Sequence, residues 1–525
     1  MEIINTTVLI IGAGFGGVAT AIELRRAGVH DVVVLEAADD VGGVWRENTY
    51  PGAGCDVPSP LYSFSFAPNT QWPRRYALQP DILAYLRQVA RRFGVLGLVR
   101  FRSKVVSAEF DPDIARWRVR TADGTTYLTR VLIPATGQLS QPVYPSIPGI
   151  DTFTGVSFHS ARWNHDCDLS GKRVAVIGTG ASAVQFVPFL QREAASVAVF
   201  QRSAPYVLPR RDRVYTPRQH RLLRALPILQ KADRLGFWLY TEFAQECLSR
   251  WQFFTPLFYF QARRHLRKQV ADPVLRKKLT PDYALGCKRV LFSNDYYPAL
   301  TSSTVDVITE RIDAVTPKGI RTVDGTVHEV DVIVYGTGFA ATDLLASITV
   351  RGLNGRSLSE AWKEGARAHL GITVPGFPNL FLMYGPNTNL GGGSIIYMLE
   401  SQARYIRSAV QFLLARPDHY LDVRTEAEQR WDDEVQSRLT RSVWTRCSSW
   451  YRNAQGRVVS NWPGRTSEYR WRTRRLDPAD FHVIRIHPTP GTPSDTPPTA
   501  APDTAPDAAS DAALDPTFDA PTGAG

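Results

Sequence analysis

Cysteine is scarce in this chain, with five residues among 525, and no two of them form a C-x-x-C pair. This distribution predicts no disulfide framework, no zinc or other metal site and no redox-active dithiol. Long apolar runs are missing as well, because the most apolar stretch, 235–260, is interrupted by Glu242, Glu246 and Arg250. We therefore predict a buried or interfacial helix in this stretch and no membrane span.

We also expect no targeting leader, since no basic-then-apolar segment precedes the first apolar run, and we expect a cytoplasmic location. The net charge is +11, with basic clusters at 210–213, 263–268 and 276–278. No nucleic-acid-binding motif accompanies these clusters, so we predict solvated faces and no nucleic-acid partner. The Pro-, Ala- and Asp-rich tail, 488–525, is predicted to be disordered because it has too little apolar surface to form a core.

Two glycine-rich turns are present, each placed between a buried-strand pattern and a helical pattern. The first, GAGFGG at 12–17, follows the apolar run at 8–11, and the second, GTGASA at 178–183, follows the run at 173–177. Glycine permits positive φ in such a turn and lets a pyrophosphate approach the backbone at the helix N-terminus. Each turn therefore predicts a βαβ dinucleotide-binding unit.

The two units differ at the residue that meets the adenosine ribose. This position holds Glu36 in the first unit and Arg202 in the second, each 24 residues after the first glycine, from 12 to 36 and from 178 to 202. A carboxylate accepts hydrogen bonds from a free ribose diol, whereas a guanidinium binds a 2′-phosphate. The first unit is predicted to bind FAD or NAD and the second NADP.

The fold class is predicted to be α/β, with two Rossmann-like dinucleotide-binding domains and a helical insertion in the second. Two further buried runs, at 132–137 and 332–338, end in Thr136-Gly137 and Thr337-Gly338, where the chain can cross between the domains. The predicted division is an FAD domain in two parts, 1–141 and 375–487, an NADP domain at 142–374 with the insertion at about 210–285, and the tail.

Two segments of the sequence carry a family resemblance. Residues 153–163, FTGVSFHSARW, match F-x-G-x-x-x-H-x-x-x-W, and residues 42–56, GGVWRENTYPGAGCD, match a second and longer pattern. Both patterns are typical of type I Baeyer–Villiger monooxygenases, which this chain resembles from about residue 5 to 475. Asn164 departs from the family, which usually has Pro or Asp there, whereas the segments around Ser449-Trp450-Tyr451 and Trp462-Pro463-Gly464 resemble the subgroup that includes 4-hydroxyacetophenone monooxygenase.

The resemblance implies which residues form the active site. Within Gly286-Cys287-Lys288-Arg289, it assigns Arg289 to stabilising a flavin peroxide and Lys288 to the 2′-phosphate of NADP. It assigns Asp56 to orienting Arg289, and His159 to the linker between the domains. The complete prediction names Arg289 and Asp56 as catalytic and the following as cofactor-binding: Gly12, Gly14, Phe15, Gly17, Glu36, Gly43, Val44, Trp45, Asp56, Thr136, Gly137, His159, Gly178, Gly180, Ala181, Ser182, Gln185, Arg202, Lys288, Thr337, Gly338, Asn387 and Trp450.

The resemblance also implies the reaction. An FAD- and NADPH-dependent enzyme of this family uses O2 to insert one oxygen atom beside a ketone carbonyl, through a C4a-peroxyflavin, and yields an ester or lactone. Oxidation of sulfur or nitrogen centres with the same cofactors is an alternative reading, and a flavin redox sensor without oxygenation is another. The sequence carries no signal for the oligomeric state.

Overall fold

The computed structural model describes residues 3–486, and the predicted tail at 488–525 lies outside them. The strands are β1 (Ile3–Ile11), β2 (Val32–Leu35), β3 (Val99–Arg100), β4 (Val105–Asp111), β5 (Arg116–Thr121), β6 (Thr126–Pro134), β7 (Val156–His159), β8 (Arg173–Ile177), β9 (Ser196–Phe200), β10 (Val207–Leu208), β11 (Leu291–Phe292), β12 (Val305–Ile308), β13 (Ile312–Thr316), β14 (Gly319–Thr322), β15 (Val327–Glu329), β16 (Val332–Tyr335), β17 (Thr349–Arg351), β18 (His419–Val423) and β19 (Phe481–Arg485).

The α-helices are α1 (Phe15–Arg26), α2 (Val44–Glu47), α3 (Gln79–Arg92), α4 (Ala181–Glu193), α5 (Pro217–Ala225), α6 (Pro227–Ser249), α7 (Thr255–Gln269), α8 (Pro273–Lys278), α9 (Tyr296–Leu300), α10 (Leu358–Ala361), α11 (Ile395–Leu414), α12 (Thr425–Leu439) and α13 (Thr466–Arg472). Short 3₁₀ turns lie at Leu96–Leu98, Ile150–Thr152, Ser160–Arg162, Gln252–Phe254, Leu353–Gly355, Val443–Thr445 and Pro478–Asp480.

The first glycine-rich turn belongs to a seven-stranded sheet with the order β17-β4-β5-β6-β1-β2-β3. β1 lies between β6 and β2 and runs parallel to both. Val8, Leu9 and Ile10 in β1 are fully buried, as expected for a strand covered on both faces. α1 begins directly after the turn and packs against α11.

The second turn belongs to a five-stranded sheet with the order β12-β9-β8-β16-β7, in which every neighbouring pair is parallel. β8 occupies the centre, and α4 follows it after the turn. Each sheet therefore places one strand, one glycine-rich turn and one helix in the same order. This architecture confirms the predicted α/β class with two Rossmann-like units.

Helices α5 to α8 occupy most of the range in which the sequence predicts an insertion, between β10 and β11. On α6, Glu242 accepts hydrogen bonds from the backbone N–H of Thr466 (2.8 Å) and from the Ser467 hydroxyl (2.6 Å). The outward face of the same helix exposes apolar side chains such as Leu235 and Leu239. The stretch at 235–260 therefore is not one helix but comprises the end of α6, a 3₁₀ turn and the start of α7, with α6 in an interfacial position. Across residues 3–486 no helix is long and apolar enough to cross a membrane.

The chain returns to the first sheet after completing the second. β17 pairs in parallel with β4, and farther along the Phe381 N–H donates to the carbonyl of Leu132 (2.9 Å). The chain therefore returns to the first sheet at β17, before residue 375, where the sequence places the boundary. A three-residue edge strand is too short to leave a recognisable hydrophobic pattern in the sequence. The other domain boundaries stay predictions, since residues up to 486 belong to one compact unit.

Candidate active site

The first turn is built so that only glycine fits at two of its positions. Gly12 has φ +104°, and a Cβ there would lie 2.7 Å from the carbonyl oxygen of Ala135. A Cβ on Gly17 would lie 1.9 Å from the carbonyl oxygen of Gly12. Beside Gly14, in contrast, a Cβ would meet no atom closer than 3.6 Å. The backbone is therefore tightly packed on one side and leaves room on the other, where α1 begins.

Glu36 follows β2 and closes this turn from the side. Its Oε2 accepts from the N–H of Ala13 (2.7 Å) and its Oε1 from the N–H of Ala38 (3.0 Å). The residue is 9% exposed. Its carboxylate is thus fixed beside the turn before any ligand arrives.

Three more segments that the sequence assigns to a cofactor converge on the first turn. Gly43, with φ +55°, precedes α2 and lies against Gly14, so Val44 and Trp45 follow at the same place. The Trp45 indole N–H donates to the Tyr62 hydroxyl (3.0 Å). Thr136 and Gly137 come after β6, next to the carbonyl that blocks Gly12, and Phe15 is buried in the core beneath.

The second turn repeats the design with fewer constraints. Gly178 has φ +107°, and a Cβ there would lie 2.5 Å from the carbonyl oxygen of Gly336, the residue before Thr337 and Gly338. Beside Gly180 a Cβ would meet nothing closer than 3.9 Å. Ala181 and Ser182 form the first turn of α4, and Ala183 is fully buried where the first turn has Gly17.

Gln185 on α4 connects the second unit to the segment that leads to Asp56. Its Oε1 accepts from the Tyr50 hydroxyl (2.9 Å), and its Nε2 donates to the carbonyl of Gly54 (2.8 Å). Burial raises the pKa of Tyr50 to about 12, so the phenol keeps its proton as the donor. Gln185 therefore acts as a bridge between the two units.

Two cations lie beside the second turn. Arg202 is exposed after β9, and Lys288 donates from Nζ to the Ser203 hydroxyl (2.8 Å) while lying over the Tyr283 ring at 4.5 Å. Burial, and then the nearby charge of Arg202, lowers the pKa of Lys288. Each of these positive charges disfavours the other, and the binding of a 2′-phosphate by the two residues stays a prediction.

Asp56 and Arg289 form a bidentate ion pair. Arg289 donates from Nη2 to Oδ1 (2.7 Å) and Oδ2 (2.8 Å), and from Nε to Oδ2 (3.1 Å). The charge of Asp56 raises the pKa of Arg289 further above its usual range. The Arg289 side chain nevertheless keeps 37% of its surface accessible, against 16% for Asp56. It therefore presents a permanent positive charge to the space around it.

Three tyrosines, Tyr62, Tyr384 and Tyr451, lie close enough to Arg289 to feel its charge. Tyr451 is fully buried, and burial raises its pKa to about 12 against the opposing effect of Arg289. Burial also raises the pKa values of Tyr62 and Tyr384, both of which feel the charge of Arg289. Tyr384 donates to Oδ1 of Asn389 (2.7 Å). Sequence reasoning missed Tyr62 and Tyr384, because no spacing or motif relates them to Arg289.

Other predicted residues have structural roles in this fold. His159 is fully buried, its Nδ1 accepts from the Ala161 N–H (3.1 Å), and burial lowers its pKa. It packs between the rings of Tyr144 and Phe339, which fits a linker position.

Asn387 and Trp450 lie farther along the chain. Asn387 donates from Nδ2 to the carbonyls of Val458 (3.0 Å) and Asn461 (3.1 Å), so its side chain ties two loops together. Trp450 is 37% exposed and packs on Tyr451 with ring centroids 4.3 Å apart. Their contact with a cofactor stays a prediction.

The basic cluster at 210–213 is not entirely a solvated face. Arg211 and Arg213 are exposed, but Arg210 donates from Nη2 to the carbonyls of Cys55 (3.2 Å) and Tyr76 (3.1 Å). Arg210 therefore holds the backbone immediately before Asp56. No spacing rule signals this role, because it depends on a contact across 155 positions.

The sequence predicts no disulfide framework, and this prediction is wrong for one pair of cysteines. Cys287 and Cys447 are bonded, with Cα atoms 6.0 Å apart and a sequence separation of 160. Such a pair has no local spacing pattern, since the fold alone brings the two residues together. Across residues 3–486, no group of three His, Cys, Asp or Glu side chains could hold a metal ion.

Comparison with known proteins places these features in context. The family described as pyridine nucleotide-disulphide oxidoreductase matches residues 9–218, which contain both turns. A Baeyer–Villiger monooxygenase of Streptomyces coelicolor is 46% identical over 487 residues, 92% of this chain and 94% of that protein. One from Pseudomonas aeruginosa is 42% identical over 486 residues, 91% of each chain. A crystal structure of OTEMO in complex with FAD and NADP is 29% identical with a TM-score of 0.82, covering 91% of this chain and 99% of that one.

The two Rossmann-like units, together with a structural relative that binds FAD and NADP, define a nicotinamide-dependent flavoprotein oxidoreductase. Given relatives above 40% identity across nine-tenths of its length, the chain belongs to the Baeyer–Villiger monooxygenase family. It is a flavin monooxygenase that inserts oxygen, with FAD and NADPH as cofactors.

Proposed function

We propose that this chain converts a ketone, O2, NADPH and a proton into an ester or lactone, water and NADP⁺, in the cytoplasm. One oxygen atom enters the bond beside the carbonyl, and the other leaves as water. When bound, FAD supplies the hydride acceptor and the site at which O2 reacts. The remaining tasks, which are binding, orientation and charge stabilisation, fall to residues of the chain.

FAD is assigned to the first turn and NADPH to the second. Both turns have room beside the second glycine, at the start of a helix whose N–H groups and dipole favour a pyrophosphate. The fixed carboxylate of Glu36 suits a ribose diol, and the exposed guanidinium of Arg202 suits a 2′-phosphate. Lys288 adds a second positive charge at that position.

Arg289 is assigned to stabilising negative charge on oxygen during the insertion. Within residues 3–486 its hydrogen bonds to Asp56 run from Nε and Nη2, so Nη1 can donate to a ligand. A fixed donor of this kind lowers the energy of an anionic transition state without having to reorganise. Asp56 keeps the guanidinium charged and in one orientation.

The aromatic residues are assigned to the wall of the substrate site. Tyr62, Tyr384 and Tyr451 keep their protons at neutral pH, because burial raises their pKa values. Tyr62 and Tyr384, which are only partly buried, therefore contribute neutral surface beside the positive charge of Arg289. Such a wall fits an uncharged carbonyl compound and excludes water, which would otherwise release hydrogen peroxide.

The observation that carries the proposal is the Asp56–Arg289 pair, a bidentate ion pair whose arginine keeps an accessible face near both nucleotide units. A panel of cyclic, linear and aryl ketones with sulfide and amine competitors tests it, using holoenzyme, NADPH and O2, with product identification by mass spectrometry. We expect esters in proportion to the NADPH consumed. If the hydrogen peroxide formed accounts for all the NADPH consumed, or if only sulfides and amines are oxidised, the proposal fails. Arg211→Ala, which removes an exposed arginine, serves as the control for Arg289→Ala.

A further inference from the structure

The Cys287–Cys447 disulfide joins two segments that both reach Arg289. Cys287 is followed directly by Lys288 and Arg289, and Cys447 lies four residues before Tyr451. The other cysteines, Cys55, Cys167 and Cys247, are free. One covalent bond thus connects the segment with the cations to the segment with the buried tyrosine.

The first of these segments is tightly held. Gly286 has φ +87°, and a Cβ there would lie 2.1 Å from Cδ2 of Leu248 and 3.5 Å from Cγ1 of Val443. Cys287 is fully buried, and its N–H donates to the carbonyl of Ala284 (3.1 Å). A displacement of Cys287 would therefore move the backbone that carries Arg289.

The second segment is held chiefly on the side of its tyrosine. Trp444 and Tyr451 are fully buried, and Cys447 between them is only partly buried. Arg452 donates from Nη1 to the carbonyl of Cys447 (3.3 Å). The side chains of 446, 448 and 450 are exposed. Among residues 3–486 the disulfide is therefore the one covalent cross-link between this partly exposed segment and the core.

We infer that Cys287–Cys447 is a redox-modified site that positions Arg289 relative to Tyr451 and thereby couples NADPH oxidation to oxygen insertion. A dithiol reductant attacks the more accessible Cys447 sulfur, and the Cys287 thiolate leaves. A second thiolate of the reductant then releases Cys447, so the protein gains two thiols while the reductant becomes a disulfide. In the reverse direction, two thiols and one hydrogen peroxide give the disulfide and two waters.

Peroxide formed by the enzyme itself can re-form this disulfide. Hydrogen peroxide is the product of uncoupled turnover, so a loosened site would generate the oxidant that restores its own disulfide. In a reducing compartment, protein disulfides are usually catalytic or redox-sensing instead of structural. The inference rests on the proposed function, because ester formation is its first readout.

The test compares oxidised and dithiol-reduced holoenzyme, with the bond mapped by mass spectrometry of unreduced peptides. We expect NADPH to reduce the flavin at the same anaerobic rate in both forms. In the reduced form, ester per NADPH should fall about tenfold, within the range that a 1 Å misplacement of a catalytic group costs, and peroxide should rise to match. Peroxide treatment should restore coupling, while Cys287→Ser/Cys447→Ser should resemble the reduced form and respond to neither reagent. Cys167→Ser, which removes a free cysteine, should respond as the unaltered protein does.

Two results would overturn the inference: both cysteines mapped as thiols under every oxidising condition, or equal ester yield and equal peroxide release in the two forms with only the melting temperature changed. If neither form makes an ester, the proposed function fails instead. In that case the inference is still decided by the rate of peroxide release after the flavin of each form has been reduced with NADPH and mixed with O2. A faster release from the dithiol-treated form supports it, and equal rates refute it.

Discussion

The two dinucleotide turns share a backbone design but differ in how much is settled before a ligand binds. In the first, Glu36 is 9% exposed and both of its oxygens are engaged by backbone N–H groups, while Gly17 has no space for a Cβ. In the second, Ala183 already carries a Cβ and Arg202 is exposed. A closed site suits a cofactor that stays, and an open site suits one that enters and leaves in each cycle.

The largest effect, a loss of bound FAD, is expected from a substitution at the position that holds Gly17 in the first turn and Ala183 in the second. Gly17→Ala places a Cβ 1.9 Å from the carbonyl oxygen of Gly12, so the turn cannot keep its shape, and the protein should lose its FAD. The matched change in the other turn, Ala183→Gly, should cost only about 1 kcal/mol of stability and leave FAD in place. Flavin absorbance per protein and the melting temperature check both. A fully loaded Gly17→Ala variant would show that the first turn is less constrained than the comparison requires.

The second largest effect is expected from a change in the Asp56–Arg289 ion pair. Arg289→Ala removes the fixed positive charge, so ester formation should fall about 10²–10³-fold, as when one oxyanion donor is lost. Flavin reduction by NADPH should persist, because both turns remain intact. Anaerobic reduction and aerobic product yield are measured on the same preparation. Equal losses of reduction and ester would place Arg289 in NADPH binding instead of oxygen chemistry.

Arg202→Ala should weaken the discrimination between NADPH and NADH. A charge-assisted hydrogen bond contributes about 1.5–3 kcal/mol, so the ratio of the two kcat/KM values should fall about 10–100-fold, with Lys288 retaining part of the preference. The control is Arg192→Ala, which removes an exposed cation near the C-terminal end of α4, whereas Arg202 follows β9. An unchanged ratio would break the assignment of the second turn to the phosphorylated cofactor.

The smallest effect is a pH dependence. Burial and Arg202 lower the pKa of Lys288, so this lysine loses its charge at a lower pH than an ordinary lysine does. The kcat/KM for NADPH should therefore decline as the pH rises through that lowered pKa, by about fivefold for a contribution near 1 kcal/mol. NADH, without the phosphate, should show no such decline. In Lys288→Arg the decline should disappear, since arginine stays charged, and its persistence would argue against Lys288.

Sequence reasoning succeeded where local spacing determines structure. The strand, turn and helix at each glycine-rich segment are local, and the prediction that the apolar runs at 8–11 and 173–177 end directly before the two turns is confirmed by β1 and β8. The pairing of Asp56 with Arg289 came from the family resemblance, and the structure brings these two side chains together. The roles of the cofactor-binding residues stay predictions.

Sequence reasoning failed where distant segments meet. The Cys287–Cys447 bond spans 160 residues, and the contact of Arg210 with Cys55 has no spacing rule. β17 joins the first sheet with only three residues, too few for a recognisable pattern. These features depend on tertiary packing, which propensity and periodicity do not encode.

In the proposed mechanism the Asp56–Arg289 pair directs one oxygen atom of O2 into a ketone, with FAD at the first turn and NADPH at the second. Turnover of a ketone under isotopically labelled O2, followed by mass spectrometry of the ester, tests it most directly. We expect one labelled oxygen per ester from the unaltered enzyme, and peroxide in place of ester from Arg289→Ala. Unlabelled ester, or the same labelled yield from Arg289→Ala, would contradict it.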